Sequence, residues 1–155
     1  MLIAATMAAL ALVAPTDKVA VPEGPVVQDA TETYQNQETL RCITEHLGLH
    51  SDNCDPSDAY QYWNVHVWAD NTRQIKGLVS GLCFDDSGPT FVTRPCWAPS
   101  DPRSRYQSWY VTRWNDGTIQ LRNQATGRCI DDMNSLHTAA CYPGSDARSR
   151  LQSWF

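Results

Sequence analysis

Hydrophobic residues in this chain recur at every second position, in short runs that break off after five or six residues. Such a period belongs to half-buried strands, whereas a helix would repeat its apolar positions every three or four. In "WYVTRW" (109–114), Trp109, Val111 and Arg113 fall on one face and Tyr110, Thr112 and Trp114 on the other. The residues that follow, "NDG" and then "TIQLRNQ", predict a tight hairpin, because Asn, Asp and Gly tolerate positive φ. The same scheme stands earlier as "WNVHVW", "ADNT" and "RQIKGL". Short strands, tight turns and no helical stretch predict an all-β protein.

The pattern then repeats on a larger scale. Gln61/Trp63, Gln107/Trp109 and Gln152/Trp154 each form a Gln-x-Trp motif, with tryptophan spacings of 46 and 45. Cys42, Cys83 and Cys129 precede those tryptophans by 21, 26 and 25 residues, and Cys54, Cys96 and Cys141 follow the first set by 12, 13 and 12. Three such registers make the chain three copies of one unit. Equivalent units must pair their cysteines in the same way, which predicts Cys42–Cys54, Cys83–Cys96 and Cys129–Cys141. The third copy lacks its last strand. "TETYQNQETLRC" near the N-terminus aligns with "TIQLRNQATGRC", placing Tyr34 where Ile75 and Leu121 stand, eight residues before a cysteine. The ends are therefore expected to pair, closing a pseudo-threefold structure of four-stranded repeats at roughly 39–79, 80–125 and 126–155 plus 31–38.

Composition narrows the setting. Residues 2–13 are apolar or small, as in the core of a secretory signal, although no Lys or Arg precedes them; 1–14 is read as a signal whose start is truncated or atypical. It is too short to span a bilayer, so no membrane span is expected. Residues 15–30, rich in Pro and without periodicity, read as a flexible leader to a domain over 31–155. Six cysteines in an exported chain fit an extracellular setting with three disulfides. A net charge of −5 argues against nucleic acid, which demands clustered Lys and Arg. Without a Cys-x-x-Cys pair, neither a metal nor another cofactor is expected.

Three units of this length, each with Gln-x-Trp, resemble the ricin-type β-trefoil lectins, and small secreted actinobacterial members most of all; the resemblance covers 31–155. It implies a β-trefoil in which the Gln and Trp residues are structural. It also implies one potential sugar pocket per unit. In the family an Asp two residues after the first cysteine accepts hydrogen bonds from sugar hydroxyls, an aromatic ring stacks on the sugar, and an Asn precedes the motif Gln. The Asp is present as Asp85 and Asp131 but is Thr44 in the first unit. The usual aromatic position holds Asp52, Arg94 and Ala139, and the Asn position Tyr60, Tyr106 and Leu151. Trp97 and Tyr142, each just after a second cysteine, are the candidate displaced stacking surfaces.

The adjacent carboxylates Asp85–Asp86 and Asp131–Asp132 do not predict glycoside hydrolysis, because neighbours on a strand point apart and the two pairs lie in different units. An Asp that caps its own turn is the competing reading for Asp85 and Asp131, and Asp86 and Asp132 are read as structural. Trp68 and Trp114 are expected to pack beneath the hairpins. The expected function is non-catalytic and weakly multivalent, with glycans or cell-surface polysaccharide as partners. The alternative is a protein-binding trefoil, an inhibitor or toxin accessory subunit that has lost sugar binding.

Overall fold

The alternating runs become strands in the computed structural model, which describes residues 17–25 and 28–155; the segment read as a signal lies outside them. The first unit holds β3 (Cys42–Thr44), β4 (His50–Asp52), β5 (Trp63–Val67) and β6 (Arg73–Gly77). In the second stand β7 (Leu82–Asp85), β8 (Val92–Pro95), β9 (Trp109–Trp114) and β10 (Ile119–Asn123). The third contributes β11 (Cys129–Asp131) and β12 (His137–Ala139). Preceding all of these are β1 (Ala20–Val21) and β2 (Ala30–Glu32), which pair with β9 and β5. Every strand pair is antiparallel, and β9 with β10, from Trp109↔Asn123 to Arg113↔Ile119, and β5 with β6, from Trp63↔Gly77 to Val67↔Arg73, make the two longest ladders.

The ends of the chain pair as expected. Asn36 bridges Trp154, Gln37 N–H donates to Ser153 O at 2.8 Å, and Phe155 N–H donates to Gln35 O at 2.9 Å. The alignment behind that expectation is visible in the core as three rings of equivalents. Trp63, Trp109 and Trp154 form one, Tyr34, Ile75 and Leu121 the second, and Ile43, Phe84 and Ile130 the third; all nine are at most 1% exposed. Indoles of this size fill the threefold axis. Trp63 and Trp154 donate through Nε1 to Ile43 O and Ile130 O, whereas Trp109 Nε1 has no partner. All three disulfides join the cysteines predicted.

Two expectations are refined. Three short 3₁₀ segments, Ala59–Gln61, Pro102–Gln107 and Ala147–Gln152, precede the tryptophan strands. An Asp starts each one, with the side chain of Asp58, Asp101 or Asp146 accepting an N–H two residues on. In the hairpins only the last loop position is left-handed, at Asn71 (φ 63°) and Gly117 (φ 85°), so the loops are of the longer, bulged kind.

A third expectation is corrected. The stretch read as part of a flexible leader is laid along the barrel from Lys18 to Glu23. Ala20 and Val21 pair with Trp114 and Arg113, and Asn115 N–H donates to Val19 O at 2.8 Å. Glu23 reaches the buried Arg73, and the Lys18 side chain, 8% exposed, is sunk among polar groups. Backbone and polar contacts hold this strap, so no hydrophobic period announced it.

Candidate functional site

The site begins with the disulfide-closed hairpin of each unit. In the second unit β7 ends on Asp85, and β8 leads through Cys96 to Trp97. Gln107, at the end of its 3₁₀ segment, joins the two: Nε2 donates to Asp85 Oδ2 at 2.8 Å and to Pro95 O at 3.0 Å, while Oε1 accepts from Trp97 N–H at 2.8 Å. The third unit repeats the link. Gln152 Nε2 donates to Asp131 Oδ2 at 2.9 Å and to Ala140 O at 2.8 Å, and Oε1 accepts from Tyr142 N–H at 2.8 Å. In the first unit Gln61 still ties Asp55 N–H and Asn53 O, but Thr44 in place of the Asp leaves no carboxylate to join.

Each carboxylate is also the cap of its own turn. Asp85 Oδ1 accepts from Ser87 N–H at 2.9 Å and Asp131 Oδ1 from Met133 N–H at 2.7 Å. Both side chains are fully buried. A basic, half-exposed side chain lies over each: Arg94 Nε stands 3.6 Å from Asp85, and His137 Nε2 stands 3.9 Å from Asp131. The turn-capping reading of these aspartates is thus realised, and it is Arg94 and His137, not the carboxylates, that reach solvent there.

Trp97 and Tyr142 are half-buried, and a guanidinium already stacks on each. Arg103 Cζ is 3.6 Å from the Trp97 ring centre and Arg148 Cζ is 4.3 Å from that of Tyr142. These arginines are held in place by Asp101 and Asp146, each pair with an N–O distance of 2.7 Å. Hydrogen bonds from Arg103 hold the Asp101 carboxyl down to about 2, and those from Arg148 lower that of Asp146. Asp and Arg stand two residues apart in each unit, and the 3₁₀ turn bends the arginine back over a ring six residues upstream.

The other singled-out residues separate. Trp114 is buried under its hairpin, and Trp68 is half-buried with its ring edge-on to His66 at 4.3 Å. His46 and His50 are four residues apart, but a turn parts them: His46 stacks on Tyr60 and His50 bonds Gly48 O. Among the described residues no group of three His, Cys, Asp or Glu is placed to hold a metal ion, and no helix is long and apolar enough to cross a membrane.

A family model described as "Ricin-type beta-trefoil lectin domain-like" matches residues 59–141, more than half of the chain. No curated protein matches the sequence. Among solved structures, "Structure and mode of action of a mosquitocidal holotoxin" aligns with a TM-score of 0.67 at 16% identity, covering 84% of this chain and 17% of that one. The chain therefore spans only a small part of the holotoxin's length. The Haemophilus ducreyi cytolethal distending toxin aligns at 0.67 and 14% identity, covering 86% and 88%. SeviL, solved bound to the asialo-GM1 saccharide, aligns at 0.65 and 13% identity, covering 83% and 96%. Identities this low speak for the shared β-trefoil fold alone.

Proposed function

Because the chain belongs to the ricin-type β-trefoil lectin-like family, we propose that it is an exported, non-catalytic glycan-binding protein using its second and third units. One observation carries this reading. The carboxylate–amide–aromatic link is built twice, as Asp85–Gln107–Trp97 and Asp131–Gln152–Tyr142, and is absent where Thr44 stands. In this reading the buried aspartates do not touch sugar. Through Gln107 and Gln152 they fix the backbone that carries the rings, and they hold the overlying Arg94 and His137, which offer donors to hydroxyls from a shallow surface. Such a surface exchanges water hydrogen bonds for similar ones, so each site binds weakly and avidity comes from two sites on one glycan surface. Three disulfides fit the extracellular setting this requires.

The test is a glycan array followed by surface plasmon resonance on the best hit. Trp97→Ala or Tyr142→Ala should reduce binding to that of one site, and the double variant should abolish it with the fold intact. Asp85→Ala should act differently: it strips Gln107 and the Ser87 turn of an acceptor and costs about 1–3 kcal/mol of stability. A second reading, a protein-binding trefoil, is favoured by the guanidinium already stacked on each ring. Wild-type protein that binds no glycan, or a double variant that binds as wild type, would establish it instead.

A further inference from the structure

The strap ends in a cradle built for an ammonium group. Lys18 Nζ meets Ser153 Oγ at 2.7 Å, Asp116 Oδ2 at 3.1 Å, Thr118 Oγ1 at 3.2 Å, and Gln37 Oε1. Each acceptor is aimed by a bond of its own. Thr118 Oγ1 donates to Asp116 Oδ1 at 2.6 Å, Gln37 Nε2 to Asp116 Oδ2 at 2.9 Å, and Ser153 Oγ to Ser149 O at 2.7 Å. Their lone pairs are thereby left for a group that only donates, as an alkylammonium does.

The threefold repeat writes this cradle a second time. Asp70 and Thr72 lie 46 residues before Asp116 and Thr118, Ser108 lies 45 before Ser153, and Gln124 and Gln37 each stand five before a cysteine. The aiming bonds are reproduced: Thr72 Oγ1 to Asp70 Oδ1 at 2.6 Å, Gln124 Nε2 to Asp70 Oδ2 at 2.9 Å, and Ser108 Oγ to Ser104 O at 2.9 Å. The backbone bond from Gln124 N–H to Ser108 O is 2.8 Å, as is that from Gln37 N–H to Ser153 O. The second cradle opens on a cleft of about 440 Å³ walled by Trp68. No lysine of the described residues enters it. At the third junction the positions of Ser108 and Gln124 are Tyr62 and Leu78, so the acceptor set exists twice and not three times.

We propose that the cradle of Asp70, Thr72, Ser108 and Gln124 is a binding site for a primary alkylammonium group, the chemistry of a lysine side chain or a small aliphatic amine. The tip meets the four acceptors and the methylenes lie along Trp68. Arg105 lines the cleft as Arg150 lines the first one. Arg150 is engaged by Glu38 at 2.6 Å, whereas the matching position beside Arg105 is Ala125, so the open cradle is the weaker of the two. The first cradle is electrostatically set for the task. Burial pulls the Asp116 carboxyl upward, but bonds from Thr118, Gln37 and Lys18 outweigh it and hold it ionised far into acid. Asp70 is likewise lowered, chiefly by Thr72.

Titration of the ¹⁵N-labelled protein with n-butylammonium and with Nα-acetyl-lysine amide tests this, with n-butanol as the uncharged control. Saturable shifts are expected at Thr72, Ser108 and the Gln124 side-chain amide, and Asp70→Asn should erase them. Lys18→Met should add a second saturable set at Thr118, Ser153 and Gln37, because it vacates the twin cradle. Binding of the lysine amide about tenfold tighter than the simple amine assigns the source to a lysine side chain, and equal binding to a free amine. No saturable shift with either amine, or the same shifts with n-butanol, overturns the site.

Discussion

At the scale of single residues, the second carboxylate of each pair is a latch between units. Asp86 binds Arg128 at 2.8 Å and accepts from Thr126 and from Thr138 of the next unit; Asp132 binds Arg41 at 3.1 Å and accepts from Thr39 and Ser51. The first unit solves the same joint differently. Glu45 stands in the Asp position, and Gly77 replaces the asparagines Asn36 and Asn123. Those asparagines accept the N–H of Thr39 and Thr126, and Glu45 Oε1 accepts the equivalent N–H of Ser80 at 3.1 Å. One longer carboxylate thus does the work of two side chains, and it occupies the missing asparagine's space: a Cβ on Gly77 would lie 2.1 Å from Glu45 Oε1. Gly77→Asn alone should therefore destabilise by about 1–3 kcal/mol, because the new side chain pushes the Glu45 carboxylate away from Ser80. Glu45→Asp alone should also destabilise, because it shortens the reach to Ser80. Combining them restores the Asp and Asn of the other units, though Leu82 stands where those have Arg41 and Arg128, so the double variant should recover at least about 1 kcal/mol relative to the sum. A urea double-mutant cycle measures this, and strict additivity would refute the exchange.

At the scale of elements, the strap over Lys18–Glu23 behaves as an extra strand clipped to the outside of the barrel. Its removal uncovers the Lys18 cradle, frees the β9 edge near Trp114, and leaves Arg73 without its carboxylate at a site only 5% exposed. A buried guanidinium that loses its partner is costly, and Arg73 Nε already lacks one. Glu23→Gln should therefore lower stability by about 1–3 kcal/mol, a cost that an unattached leader would not show. Thermal unfolding followed by calorimetry checks it; an unchanged midpoint would mean that the strap is not seated. This element was illegible in the sequence for a physical reason. "TDKVAVPEG" carries no alternation, and what fixes it are an ammonium with four distant acceptors and a carboxylate on Arg73, pairings that no local pattern encodes. The 3₁₀ segments were legible in principle, since Asp58, Asp101 and Asp146 each stand ahead of one, but segments of three to six residues are too short to show a helical period.

At the scale of the molecule, what the sequence made readable is what the repeat makes redundant. Cysteine pairing, the tryptophan ring, the ring of Tyr34, Ile75 and Leu121, and the meeting of the ends are all statements about equivalence, and equivalence survives in spacing alone. The site was legible only in part. Asp85, Trp97, Asp131 and Tyr142 were located by register, yet the burial of the two aspartates beneath Arg94 and His137, and the stacking of Arg103 and Arg148 on the two rings, depend on contacts between segments that spacing does not encode. Closure has the largest energetic consequence. Tyr34 is 1% exposed and Asn36 fully buried, and they complete the core ring and the ladder whose other edge is Trp154. A chain beginning at residue 25 should lose only the strap and still unfold cooperatively. A chain beginning at residue 38 loses a buried aromatic, worth about 3–5 kcal/mol, together with the backbone partners of Ser153 and Phe155. That sum approaches the whole stability of a domain this size, so the shorter chain should unfold without a cooperative transition in urea. Because the missing piece is a strand entering an otherwise complete groove, a peptide of residues 28–41 added in trans should restore the transition, through main-chain pairing and the Tyr34 anchor. Replacing Tyr34 by Ala in the peptide should prevent rescue; equal rescue by both peptides would show that the ring at the axis does not need its third member.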